Sequence, residues 1–388
     1  MAPFGRIGGT LPEKAKFAPG SRLAQWAVRA YNDRIDRSRT TGLRRDGERP
    51  VKRLFAAVCG LALMAGFAAA QDPVKLEFKF EEKKAFYQEM VTNVIQTIKV
   101  QGGSDLVQRH TQTFYFAWTP EKFDKDKGTW TLKQKIEGIK MEIDIAGNPI
   151  KYDSTKKDTA ATTNPGLVDF YNGLIGSEFT VTMKGGVVEK VDGKDDLLKK
   201  LGSANAQMEA LLRKVLSDEA LKQMSDPTFG LMPTKEVKKD ETWEKKAPLN
   251  LGPIGSYDLT YKFKYLGKDA AQKDMDKVEV TTDLKYAAPK DTGDGLLFRI
   301  KGGTIESTDP KPGTILFDGK TGRLKQSVIS AKLKGNLNVT VGGTDTTVEL
   351  YQEQTTTVNA QDTSFVTPAA PATGTTPPTP PPSTPEKK

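Results

Sequence analysis

The sequence predicts a mainly β protein of the α+β class: one large twisted antiparallel sheet, in its most curved form a half-barrel, with a small helical insert packed on one face. Two observations carry this. Apolar and polar residues alternate at period 2 over long stretches on either side of the middle, the mark of strands with one buried face. Helical spacing is confined to residues 164–226, and amphipathic helices there are the natural cover for that face.

Residues 1–50 are rich in Arg and Gly and have no sustained apolar period; Leu23–Tyr31 makes two helical turns at most. They read as a non-native or disordered extension ahead of a true start at Val51, whose codon, as a GTG initiator, would give MKRLF. The rival is a basic, nucleic-acid-binding arm. Any fragment of residues 1–50 in a peptide map of the native product refutes the first reading.

Residues 51–70 have the layout of a signal peptide. Lys52 and Arg53 precede an apolar run from Leu54 to Phe67, and Ala68, Ala69 and Ala70 form a small-residue site, with the cut expected after Ala70. The protein is therefore expected to be exported, to the periplasm or beyond. The run is short of the about 20 apolar residues that a spanning helix needs, which disfavours an uncleaved anchor. Cys59 lies inside the run rather than at its end, against a lipid-modified cysteine.

Residues 71–366 then read as a single β-rich domain. Val74, Leu76, Phe78 and Phe80 alternate over 74–82, a strand. Residues 85–100 mix helical spacing with β-branched residues and end at Gly102-Gly103; they are assigned as strand. Thr111–Trp118 follows, with Pro120 and the DKDKG turn at 124–128 breaking the chain. Trp130–Ile145 is a long strand, turned by Asn148-Pro149 into a polar loop over 151–163.

In the insert, Asn164-Pro165 caps a helix carrying Leu167, Phe170, Tyr171 and Leu174. Gly185-Gly186 turns a hairpin between 179–183 and 187–191. Asp195–Leu201 is a short helix. Ser203–Met224 is an amphipathic helix or pair, with a restart at Ser217-Asp218-Glu219 and an end at Asp226-Pro227.

The last third returns to strands at 242–249, 256–265, 278–286, 297–305, 314–317, 324–333, 336–341 and 346–357. Asp318-Gly319, Gly335-Asn336 and Gly342-Gly343 punctuate them. Residues 367–388 are Pro and Thr with almost no apolar bulk, a disordered tail.

Of the formal net charge of +9, the first 70 residues supply thirteen basic and five acidic side chains. The remainder is nearly neutral, which argues against nucleic acid as a partner. Cys59 is the only cysteine, so the cut chain has neither disulfide nor thiol nucleophile.

No catalytic, cofactor or metal residue is assigned, and the protein is read as a non-enzyme. His110 is the only histidine, and no Gly-x-Ser-x-Gly elbow accompanies it. Gly313–Thr321 resembles a phosphate loop but has the wrong spacing and lies between strands, so it is a hairpin. Asp124–Gly128 holds a fragment of a calcium loop without its closing Glu, and reads as a charged hairpin tip. Asp195-Asp196 lies on a helix surface, where sequence does not show a shared cleft of the kind glycosidase chemistry needs. The alternations Phe114/Phe116/Trp118 and Tyr261/Phe263/Tyr265 are the only features pointing to a ligand; core packing explains most of them.

The segments QTFYFAW (112–118), QKIEGIKMEID (134–144), GSEFTVTM (176–183), SDPTFGLMP (225–233), LNLGPIGSYDLTYKF (249–263) and GTILFDGKTGRLK (313–325) together resemble an uncharacterised family of secreted bacterial proteins, known mainly from planctomycete-type genomes and carried as a domain of unknown function. The resemblance implies an exported β-rich domain and supplies no catalytic residues. In architecture only, the pattern is similar to periplasmic lipoprotein carriers, whose curved sheet is lidded by helices. The expected function is therefore a non-enzymatic binding or structural role in the cell envelope, with an envelope component as partner. The alternative is a carrier holding a lipid or other apolar small molecule in a groove between sheet and helices.

Overall fold

A computed structural model describes residues 72–100, 103–156, 165–202, 212–213, 216–290, 298–309, 311–341 and 343–366. The leader with its cut site and Cys59, the cap Asn164, residues 203–211 of the second helical stretch and the tail from Thr367 lie outside them.

The strands are β1 (Phe86–Val100), β2 (Leu106–Asp124), β3 (Thr129–Ile145), β4 (Asn148–Asp153), β5 (Glu178–Lys184), β6 (Val187–Asp192), β7 (Thr242–Asn250), β8 (Ser256–Lys268), β9 (Asp276–Ala287), β10 (Phe298–Ser307), β11 (Gly313–Asp318), β12 (Arg323–Val341) and β13 (Thr344–Gln361). The helices are α1 (Pro165–Leu174), α2 (Lys194–Gly202) and α3 (Asp218–Phe229). All thirteen strands join one antiparallel sheet in the order β6-β5-β3-β2-β1-β13-β12-β10-β9-β8-β7, with β4 on β3 and β11 against β12 and β9. It is an open sheet, not a closed barrel, with β6 and β7 at its edges. The first and last strands meet at its centre, paired from Tyr87↔Gln361 to Val100↔Val348.

The turns form for stated reasons. Gly185 and Gly186 both have positive φ (55° and 82°), the conformation a tight two-residue hairpin needs. Ser217 caps α3 by accepting the Ala220 N–H at 3.0 Å.

Two apolar cores lie against the sheet. The first joins β1–β6 to the helices through Trp118, Leu132, Ile139, Val181, Leu197 and Phe229. Leu132 and Val181 are fully buried, each contributing about 1.5–3 kcal/mol relative to exposure. The second gathers Phe263, Tyr265, Val278, Ile315 and Phe317 from β8, β9 and β11. A smaller cluster of Tyr286, Ile305, Leu333 and Leu350 lies apart from both.

Five local expectations give way to other physics. Residues 74–82 do alternate, yet they form no strand. Their only sheet-like bridge is Val74 with Val237, and they cross the molecule as a strap, held again where the Lys79 N–H donates to the Gly322 carbonyl at 3.0 Å. Their alternation reflects burial on one side alone.

Pro120 does not end β2. The register shifts between Pro120 and Lys122, and this bulge absorbs the missing N–H. The turn after β3 is made by Ala146-Gly147, both at positive φ, so Asn148-Pro149 begins β4 where a loop was expected. Asp226-Pro227 lies inside α3, which runs on to Phe229. Gly335-Asn336 is no turn: 324–333 and 336–341 are one strand, β12. A Cβ on Gly335 would stand 2.0 Å from the Thr304 carbonyl oxygen, so glycine there serves close approach to β10.

Candidate functional site

The strap divides the work of filling the sheet's inner face. Phe78 packs edge-on against Phe229 and Phe317, at 5.4–5.5 Å between ring centroids, and so touches both cores. Phe80 meets Phe86, Trp130 and Phe229. Phe229, at the end of α3, stands edge-on to Trp118 at 4.9 Å. These rings pack the described helix side of the face, and the cleft of about 660 Å³ is formed elsewhere.

This cleft lies beside the strap. It has a volume of about 660 Å³, inside the range of small-molecule sites, and is bounded by the strap, the start of β1, the β11–β12 turn and the paired ends of β12 and β13. Phe78, Phe80, Phe86 and Leu324 give it apolar walls; Lys79, Lys320, Arg323 and Lys325 bring cations, with Glu81, Asp318 and Asp362 opposing them.

Its framework is rigid for identifiable reasons. Asp318 accepts the N–H groups of Lys320 and Thr321 at 2.9 and 3.1 Å, closing the turn. Gly322 has φ 65°, and a Cβ there would meet the Lys79 backbone nitrogen at 2.6 Å, so only glycine lets the strap seat. The Lys79 ammonium donates to the carbonyls of Gly319 and Lys320 at 3.1 and 3.3 Å. At the cleft wall, buried Gln88 accepts the Trp118 indole N–H at 2.8 Å.

Arg323 is the unusual member. Its guanidinium lies over the Phe86 ring at 4.8 Å, and its side chain is only 17% exposed. Its closest acid, Asp362, is largely exposed and 3.8 Å away, a weak pair. The buried Nε–H has no hydrogen-bond partner. A buried donor left unpaired costs about 1–3 kcal/mol. Across the cleft, Lys84 holds the Glu81 carboxyl below its usual range, with Arg323 adding to the effect.

The residues weighed in the sequence scatter. His110 lies mid-strand opposite Val94 and Ile143; burial lowers its pKa, and its Nε2 is buried without a partner. Asp124 turns its carboxylate onto its own loop, accepting from the N–H groups of Asp126 and Lys127 at 3.1 Å each. Gly313–Thr321 is the β11–β12 hairpin, whose turn N–H groups are taken by Asp318. Asp195 and Asp196 open α2 and line a second, polar cleft of about 450 Å³ with Asp218, Glu219 and Lys222. Among the described residues no group of three or more His, Cys, Asp or Glu is placed to hold a metal ion. Trp118 is core, Phe114 and Phe116 are half-buried beside it, and Tyr261, Phe263 and Tyr265 belong to the second core.

The cleft residues Phe86 and Arg323 went unremarked in the sequence. One signal was available for the second: between residues 71 and 388 the only arginines are Arg109, Arg213, Arg299 and Arg323, in a chain otherwise charged by lysine.

The model of a family of unknown function, DUF6263, matches residues 127–324, just over half of the chain. The chain belongs to this family. The DUF6263 match includes β3 through β11, the β11–β12 turn and Arg323, and leaves the strap, β1 and β13 outside. No curated protein matches the chain. Among solved structures, a lipovitellin described for its lipid–protein interactions is similar at 10% identity over 76% of this chain and 26% of its own, with a TM-score of 0.38. The chain thus spans about a quarter of that protein. OccK5 of Pseudomonas aeruginosa is similar at 5% identity, over 72% of this chain and 98% of its own, with a TM-score of 0.19. Neither score reaches the level at which two chains share a fold, and neither bears on function.

Proposed function

We propose that this DUF6263 protein is a non-enzymatic, exported binding protein of the cell envelope, and that it holds an apolar small molecule in the cleft beside the strap. The single supporting observation is that cleft: about 660 Å³, walled by Phe78, Phe80, Phe86 and Leu324 and held open by a glycine-dependent clamp. Concave, largely apolar sites with a few fixed polar groups are the usual form of small-molecule sites. Export rests on the charged-apolar-small pattern at 51–70.

Two measurements test the reading. Native mass spectrometry of protein purified from its own host should show a co-purifying apolar adduct that Phe80→Asp removes. Finding the native and substituted proteins equally free of adduct, with no uptake of a fluorescent apolar probe by either, sinks the binding role. N-terminal sequencing of the native product should begin at Gln71 in an envelope or extracellular fraction; cytosolic material beginning further upstream sinks the export reading.

A further inference from the structure

The geometry points to Arg323 as the anchor for a single carboxylate or phosphate on the ligand, which makes the cleft selective for anionic amphiphiles over neutral apolar molecules; this deepens the binding function proposed above and rests on it. The guanidinium is fixed from one side by the Phe86 ring, so its plane is already oriented. Its Nε–H is buried without an acceptor, and its one ion-pair partner among the described residues, Asp362, is exposed at 3.8 Å. Guanidinium groups bind carboxylate and phosphate through paired, parallel N–H donors, and this one lines the cleft with only a weak ion pair to hold it.

The surroundings favour the same ligand class. Lys79 is committed to the carbonyls of Gly319 and Lys320, and Lys84 to Glu81 at 2.8 Å, so neither supplies the primary contact. Lys320 and Lys325 make no ion pair among the described residues and line the same cleft as Arg323, so its cations outnumber the carboxylates of Glu81, Asp318 and Asp362. Phe78, Phe80 and Phe86 lie beside this charge, where an acyl or other apolar body joined to the anion would rest. An anionic head alone would leave those rings unused, and an apolar body alone would leave the guanidinium with only its weak pair to Asp362.

Isothermal titration of the full chain with decanoate, decanol and inorganic phosphate separates these cases. Decanoate should bind at least tenfold more tightly than decanol, and its affinity should weaken as NaCl is raised while that of decanol does not. Arg323→Gln should abolish the difference by weakening decanoate alone, and Arg323→Lys should keep only part of it. Near-UV circular dichroism checks that both variants retain the fold. The salt comparison uses the native chain and holds should either variant misfold. Equal binding of decanoate and decanol overturns the anion anchor and leaves the apolar cleft standing. Phosphate binding as tightly as decanoate, and lost in Arg323→Gln, overturns the amphiphile in favour of a free-anion site. Binding of none of the three overturns both this inference and the function it rests on.

Discussion

The two ends of β1 carry similar residues and meet different surroundings. At one end Phe86 and Gln88 are buried, covered by the strap and stitched to Trp118. At the other, Val94 and Ile98 are only half-buried, and Ile95 and Val100 are 49% and 38% exposed. Alternation fixes which side of a strand each residue takes; what lies opposite fixes how deeply it is buried. Helices and strap cover the first end, whereas among the described residues the second meets the small cluster around Tyr286 and Leu350.

The contrast breaks most visibly at Phe229, where strap, helix and sheet converge. Phe229→Ala should cost about 3–5 kcal/mol in denaturant unfolding. A loss under 1 kcal/mol would mean the covered end is not where stability resides. Gly322→Ala should cost about 1–3 kcal/mol, because a Cβ collides with Lys79 and the positive φ is strained. It should also open the strap, seen as faster proteolysis within residues 72–82; an unchanged cleavage rate argues against the clamp. Gln88→Leu leaves the buried Trp118 indole N–H unpaired and should cost on the order of 1 kcal/mol, with a shift in tryptophan fluorescence.

The less covered end, like the second core with Tyr261, answers to alkaline pH. Burial, aided by neighbouring Tyr257, pushes the Tyr286 phenol up to about 12, while its hydroxyl donates to the Ile254 carbonyl at 2.7 Å. The unfolded chain ionises this phenol near pH 10 and the folded chain later. Between about pH 10 and 12 the folded state thus holds more protons, and stability falls as pH rises. Tyr286→Phe should flatten that decline in urea titrations; an identical pH profile refutes the assignment. Smallest of all, Ile95→Ala should change stability by no more than about 0.5 kcal/mol.

Much of the architecture was legible because its signals are local. Phe114, Phe116 and Trp118 fall on one side of β2, and Gly185-Gly186 turns where two successive positive φ values are needed. The misreadings came where a residue has two uses. Proline reads as a stop until a bulge accommodates it, as at Pro120, and glycine reads as a turn until a neighbouring strand presses close, as at Gly335. The alternation of Val74–Phe80 recorded one-sided burial faithfully, but nothing in it distinguished a paired strand from a strap. The cleft was hidden for another reason. Phe80, Phe86, Arg323 and Asp362 come from three distant parts of the chain, and only the pairing of β1 with β13 and of β13 with β12 assembles them.

An open sheet leaves two rows of backbone groups as templates on which a further strand could grow. At one margin β6 is six residues long, and α3 packs against both it and β7. At the other, β7 carries Lys245, Lys246 and Pro248, so a strand arriving there would meet a lysine on each face and a position with no N–H to offer. Replacing those three residues with Thr or Val would weaken that barrier and favour strand-on-strand accretion along the rim.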